Sequence, residues 1–271
     1  MKIKQVIIAL LALSVLTYGQ ESKSKFSFSI KGGYFAPRSS TFNGQYITAV
    51  NTNLNDLNSY LTNFGLSGLV NKMGKMTGGA DFGGELEVQA SDQLSLALGA
   101  EYAFRTLTAA LSSSGTVNLV SYSATEVGKT SLAVAPLTVT FRLNLPVTVA
   151  RIYIGGGVGY YLGRVTEVEN WTWTQGDDTV DTGTRKTVAT GNAVIPHANL
   201  GAEYGLSDRV SVAADIKFPF GSISSFTIKK ASDDPNSIGQ KLTFVDGNGV
   251  QKNFRWELSG PILGLNLKIK F

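Results

Sequence analysis

The feature that most constrains this chain is a strict two-residue alternation that ends at its last residue. Leu263, Leu265, Leu267, Ile269 and Phe271 fall on one parity, and Gly264, Asn266, Lys268 and Lys270 on the other. A strand sends successive side chains to opposite faces, so this segment has one apolar and one polar face. The pattern recurs upstream. Phe26, Phe28, Ile30 and Tyr34 oppose Ser27, Ser29 and Lys31; Phe82, Leu86 and Val88 oppose Asp81, Glu85, Glu87 and Gln89. Leu94, Leu96, Leu98, Tyr102 and Phe104 oppose Gln93, Ser95, Glu101 and Arg105; Leu137, Val139, Phe141 and Leu143 oppose Thr138, Thr140 and Arg142. Ile152, Ile154, Val158, Tyr160 and Leu162 oppose Arg151 and a glycine row. Leu200, Ala202 and Tyr204 oppose His197, Asn199 and Glu203, and Val210, Val212, Ile216 and Phe218 oppose Ser211, Asp215 and Lys217. With the terminal segment this makes eight strands, an all-β reading.

A soluble sandwich also alternates, but two observations favour a membrane. The apolar parity is almost free of charge, while the other carries acids and bases in near balance. A Lys or Arg facing lipid at mid-bilayer costs roughly 2–4 kcal/mol, whereas charges turned inward can pair across a lumen. Loop lengths also segregate. Short turns are expected at Ser91-Asp92, around Pro146 and at Leu206-Ser207-Asp208, and long connections over 36–78, 107–130, 165–192 and 221–259. Short periplasmic turns alternating with long extracellular loops describe a transmembrane up-and-down β-barrel with both termini periplasmic. Mean hydropathy of +0.06 is far too low for a helical membrane protein.

The N-terminus reads as a cleaved signal peptide over 1–20, leaving a barrel domain over 21–271. Lys2 and Lys4 precede an apolar run from Val6 to Leu16, and small residues follow. That run is shorter than the ~20 residues a spanning helix needs. Without Lys2 and Lys4, 22 basic residues face 20 acidic ones, which gives no argument for nucleic-acid binding. The absence of cysteine excludes disulfides, thiolate metal sites and a catalytic thiol.

Parts of the long loops read as strand. Val165, Glu167, Glu169, Trp171 and Trp173 share one parity, and Asp246-Gly247-Asn248-Gly249 is a hairpin signal between Leu242–Val245 and Val250–Leu258. Loop one differs: Ile47, Val50, Leu54, Leu57, Leu61 and Phe64 recur at helical spacing, with Gly65 and Gly68 placed to end or bend the helix. A charged lumen disfavours a deep plug, so the helix is expected on the hairpin bases or in the outer leaflet. Leu57→Asp is expected to loosen it.

The exported N-terminus, the alternating strands and the final Leu-x-Leu-x-Ile-x-Phe271 resemble the small eight-stranded outer-membrane barrels of Gram-negative bacteria: the OmpX, OmpA-barrel and OmpW families. The resemblance covers nearly the whole mature chain as architecture. It implies location in the outer membrane, a terminal Phe271 read by the barrel-assembly machinery, and contact with outer-membrane lipid. Such families serve as adhesins, anchors, surface proteins or conduits for small apolar molecules, and fold does not choose among them. An anchor of the two-domain type is not expected, because no peptidoglycan-binding domain follows Phe271.

Chemical constellations are weak. His197 is the single histidine, expected in a luminal polar network rather than as a general base. Glu85, Glu87 and Glu101 are expected to pair with Arg105, Arg142 or Arg151. Gly155-Gly156-Gly157-Val158-Gly159 lacks the helix and Lys-Ser/Thr of a phosphate loop. Asp177, Asp178 and Asp181, and the pair Asp233-Asp234, lack calcium-loop spacing. Trp171 and Trp173 suit hairpin packing or contact with headgroups or sugars. The reading is a non-enzymatic, porin-like barrel without catalytic, cofactor or metal residues. Its long loops would meet an extracellular or envelope protein partner; the alternatives are a narrow conduit or a subunit of a larger envelope complex.

Overall fold

The structure is a computed structural model that describes residues 26–147, 150–246 and 248–271. The expected signal peptide over 1–20 lies outside the described residues. The barrel strands are β1 (Phe26–Phe35), β2 (Gly79–Gln89), β3 (Leu94–Val117), β4 (Val120–Val147), β5 (Ala150–Gln175), β6 (Asp178–Gly205), β7 (Val210–Pro219) and β8 (Ile262–Lys270). Each pairs antiparallel with the next, and β8 returns to β1 in a continuous register from Ser27 opposite Lys270 to Phe35 opposite Ile262. The ring therefore closes without an edge.

Outward side chains form the apolar belt that the alternation required. Phe28, Ile30, Phe82, Leu98, Phe141, Ile154, Leu200, Val212 and Leu265 all stand exposed. On β5 the belt runs from Ile152 to Leu162, about 25 Å along the membrane normal at ~3.3 Å per residue and a ~40° tilt. No Asp, Glu, Lys or Arg occupies an outward position of the described residues within it.

Two periplasmic turns share one device. Ser91 Oγ accepts from the backbone N–H of Gln93 (3.3 Å) and Leu94 (3.1 Å), and Ser207 Oγ from Arg209 (3.3 Å) and Val210 (3.1 Å). The side chain mimics a backbone turn, which is why Ser-Asp stands at both. The short turn expected around Pro146 falls between β4 and β5 across residues 148–149, which lie outside the described residues.

On the extracellular side the strands extend above the belt as hairpins, as the parity of Val165 to Trp173 predicts, and further than that parity reaches. The connections 107–130 and 165–192 are uninterrupted strand, because β3 and β4 run to a tight turn at Asn118-Leu119 and β5 and β6 to one at Gly176-Asp177. Asn118 and Leu119 both have positive φ (50° and 67°), as the turns that match strand twist require. Alternation was legible as far as the belt, but Ser- and Thr-rich stretches such as Ser112-Ser113-Ser114 hid its continuation. The expected hairpin in the last loop is present, with Thr243–Val245 paired to Gln251–Asn253.

Loop one holds a helix, α1 (Thr48–Asn63), entered through a π-helical turn over Phe42–Ile47. Gly65, at φ +82°, stops it; the N–H of Leu66 bonds back to Leu61 O at 3.1 Å and that of Gly65 to Thr62 O at 2.9 Å. These bonds satisfy carbonyls that the helix end leaves open.

Candidate functional site

The barrel interior has two storeys of opposite chemistry. The lower one, level with the belt, is an ion-pair lattice. Arg142 donates to Glu85 (2.5 and 2.7 Å) and to Glu87 (3.0 Å). Arg151 bridges Glu87 and Glu203, Lys268 reaches both of the same carboxylates at 2.6 and 2.9 Å, and Lys270 reaches Glu203 at 2.8 Å. One level up, Glu101 holds Lys217 at 2.5 Å and Lys31 at 3.2 Å, and Lys31 also meets Asp215 at 3.2 Å. The expected pairing of Glu85 and Glu87 with Arg142 and Arg151 is thus present. Glu101 pairs instead with two lysines, and Arg105 is exposed where β2 has left the sheet beside it.

His197 lies in the lumen as expected, buried, with Nε2 2.8 Å from Thr140 Oγ1. Asn199 and Glu203 line the same face of β6. Glu203 belongs to the lattice rather than to the histidine. The Gly155–Gly159 run is plain β5 strand against β4 and β6. Asp181 accepts from Trp171 Nε1 at 2.9 Å, Asp233 holds Arg185 at 2.8 Å, and Asp234 caps the short 3-10 turn Pro235–Ser237.

Above the lattice the inward face turns apolar: Leu107, Leu111, Leu132, Val134, Val165 and Ile195 are buried. Into this storey loop one inserts Phe42 and Tyr46, which stack at 5.0 Å and meet Phe254 edge-on at 5.7 and 5.3 Å. Phe226, Trp256 and Leu258 from the last loop complete the seal. Loop one thus stays out of the charged part of the lumen, as expected, and is buried on the bases of the hairpins. The charged storey ends near the level of Lys31 and Lys217, and the helix packs on the apolar storey above it. Ile47, Leu54 and Leu61 are buried and Val50 and Leu57 partly so, whereas Phe64 is exposed. The helical stripe was legible, but Phe42 and Tyr46, the deepest anchors, precede it in a turn of different periodicity.

Polar contacts fix the plug. Tyr46 OH donates to Glu167 Oε1 at 2.6 Å and lies 2.9 Å from Thr130 Oγ1. Burial raises the Glu167 carboxyl above its usual range; the Tyr46 hydrogen bond opposes this and the nearby Glu169 charge adds to it. Burial acts to raise Glu257 as well, but hydrogen bonds from Thr41 and Ser40 outweigh it and hold that carboxyl below its usual range. Asn43 and Asn51 each clamp one backbone residue from both sides. Asn43 accepts from Met76 N (2.7 Å) and donates to Met76 O (3.1 Å); Asn51 does the same with Met73 (2.7 and 3.1 Å). These asparagines read as ordinary polar residues in the sequence, and no local signal marks them.

A groove of about 640 Å³ lies on the lipid-facing wall where small outward residues, Gly32, Ala202 and Ala214, leave a hollow flanked by Leu263 and Leu265. Its floor is closed, because β6–β7, β7–β8 and β8–β1 are paired throughout this level.

No family model and no curated protein matches the chain. Among solved structures it is similar to the outer membrane protein OprG from Pseudomonas aeruginosa, with 13% identity, coverage of 92% of this chain and 99% of that one, and a TM-score of 0.43. It is also similar to Neisserial surface protein A, with 10% identity, coverage of 93% and 100%, and a TM-score of 0.33. The N-terminal β-barrel domain of P. aeruginosa OprF gives 10% identity, coverage of 92% and 100%, and a TM-score of 0.31. The assignment rests on this chain's own geometry: a closed ring of eight strands, an uncharged apolar belt, a charged lumen and short turns opposite long hairpins. With these features, the chain is a small eight-stranded outer-membrane β-barrel.

Proposed function

We propose that the protein is a non-enzymatic surface barrel whose extracellular hairpins bind a protein partner. The observation that carries this reading is an apolar group far above the belt, where lipid does not reach. Tyr60 and Phe64, with ring centroids 4.7 Å apart at the end of α1, stand exposed. Leu69, on the short strand Ser67–Asn71 that pairs with β3, and Leu119, at the β3–β4 turn, are exposed at 75% and 98%. Tyr60 and Phe64 thus form an exposed aromatic pair, Leu69 and Leu119 are exposed along the same hairpin, and exposed apolar patches on an ordered scaffold mark interaction surfaces. The sealed interior supports the same reading, because an ion-pair lattice beneath an aromatic plug leaves a conduit little free bore.

The test uses a photo-crosslinker attached at Leu119→Cys on intact cells. A discrete protein adduct is expected, and Tyr60→Ser/Phe64→Ser should abolish it while heat-modifiable migration stays normal. Barrel-dependent uptake of a small apolar solute without any protein adduct at the tip would favour the conduit instead.

A further inference from the structure

In the lumen, Lys31, Arg142, Arg151, Lys217, Lys268 and Lys270 all have carboxylate partners. On the outer wall above the belt, the reverse holds over β4, β5 and β6. Lys129, Arg164 and Lys186 are exposed and form no ion pair among the described residues, and neither does Lys230 on the adjoining strand Thr227–Ala231. Their register brings them together. Lys129 and Lys186 both oppose Val168, so their backbones lie about 10 Å apart across two strand spacings. Lys230 opposes Val188, a diagonal neighbour of Lys186 at about 7–8 Å. The outward positions over 121–135, 162–174 and 184–194 carry no carboxylate, and hydroxyl and amide side chains such as Ser131, Thr166, Thr190 and Asn192 lie among the cations. Asp233, near Lys186 in sequence pairing, is committed to Arg185 at 2.8 Å.

Height above the membrane selects the ligand. Arg164 stands two residues past Leu162, about 5 Å above the edge of the belt, at the level of an ordinary phosphate headgroup. Lys129 and Lys186 lie about 15 Å above that edge, beyond the ~5–8 Å that headgroups occupy. A lipid that meets both levels has a tall headgroup bearing phosphate. We propose that this face binds a phosphorylated, sugar-bearing lipid of the outer leaflet, with Arg164, Lys129, Lys186 and Lys230 holding its phosphates and the interleaved hydroxyls and amides its sugar. The arrangement follows a general rule, in which cations beside a membrane recognise anionic headgroups and polar hydrogen-bonding groups supply orientation.

The full barrel is reconstituted with equal amounts of lipopolysaccharide that carries phosphates on both its lipid A and its inner-core sugars, and of the same lipid after dephosphorylation. Lipid retained after gentle detergent extraction is then read by native mass spectrometry. The wild type should retain the phosphorylated form at least tenfold more. Lys129→Ser/Arg164→Ser/Lys186→Ser/Lys230→Ser should lose that preference. An equally charged control, Arg38→Ser/Lys72→Ser/Lys75→Ser/Lys241→Ser, should keep it within about twofold. Folding of every variant is checked by heat-modifiable migration. Equal retention of the two lipids by the wild type, or an equal loss of preference in the control, overturns the proposal.

Discussion

Glu101→Gln isolates what the luminal lattice contributes. Glu101 is the ion-pair partner of Lys217 at 2.5 Å, and that lysine side chain is only 2% exposed. Lys31, also held by Glu101, keeps Asp215 at 3.2 Å. The substitution therefore strands one ammonium rather than two. Removing one partner of a buried pair costs about 3–5 kcal/mol, because the other charge stays desolvated. Gln keeps the shape and one acceptor, and the Asp81 carboxylate lies within electrostatic reach of Lys217. Both place the expected cost near 3 kcal/mol, the low end. Adding Lys217→Met removes the stranded charge, and Lys31 and Asp215 remain paired. The double variant should return to within about 1 kcal/mol of wild type, since apolar replacement of a whole buried pair is often neutral. The assay is urea unfolding in lipid vesicles followed by tryptophan fluorescence. A cost below about 0.5 kcal/mol for Glu101→Gln, or a double variant as unstable as the single, would refute the claim that these charges are desolvated and mutually dependent.

Leu61, 1% exposed, should matter more to the plug than the half-buried Leu57. Leu61→Ala is expected to cost about 2–5 kcal/mol locally and to raise whole-cell protease cleavage within 48–73, with Leu57→Asp acting in the same direction and the belt still protected. The raised Glu167 carboxyl implies a pH dependence of loop one. Its folded state keeps the proton longer than the unfolded one, so plug stability should fall as pH rises from about 4.3, the ordinary carboxylate value, through the higher folded value. Glu167→Gln should flatten that profile in hydrogen exchange of 42–63, and an unchanged profile would contradict it. In planar bilayers the purified monomer should give no large stable conductance, because lattice and plug both cross the bore.

What the sequence revealed follows from how strongly the membrane edits it. In the belt, each outward position must be apolar and each charge must face inward, so Phe28 and Leu265 could be placed by parity alone. Above the belt that constraint lifts. The outer faces of β3 to β6 become largely Ser, Thr and Lys, the inner faces mix apolar residues with Glu126, Glu167, Glu169 and Arg185, and alternation fades although the strands continue to Val117 and Gln175. Parity also said which residues enter the lumen but not at which height. That is why the ion pairs of Arg142 and Arg151 were foreseen, while Lys217 with Glu101 and the exposure of Arg105 needed the register of β1, β3 and β7. The plug anchors were hidden for a similar reason: Tyr46 to Glu167 and Asn43 to Met76 join residues far apart in the chain.

The central claim is that the Leu-rich parity meets lipid while the β3–β4 turn projects into the external medium. The chain contains no cysteine, so single-cysteine variants report individual positions cleanly. On intact cells, a membrane-impermeant maleimide should label Leu119→Cys, at the 98%-exposed turn, and should leave Leu200→Cys and Leu265→Cys unmodified. A lipid-soluble maleimide should label the latter two. Labelling of folded Leu200→Cys or Leu265→Cys by the impermeant reagent, or protection of Leu119→Cys, would contradict the account.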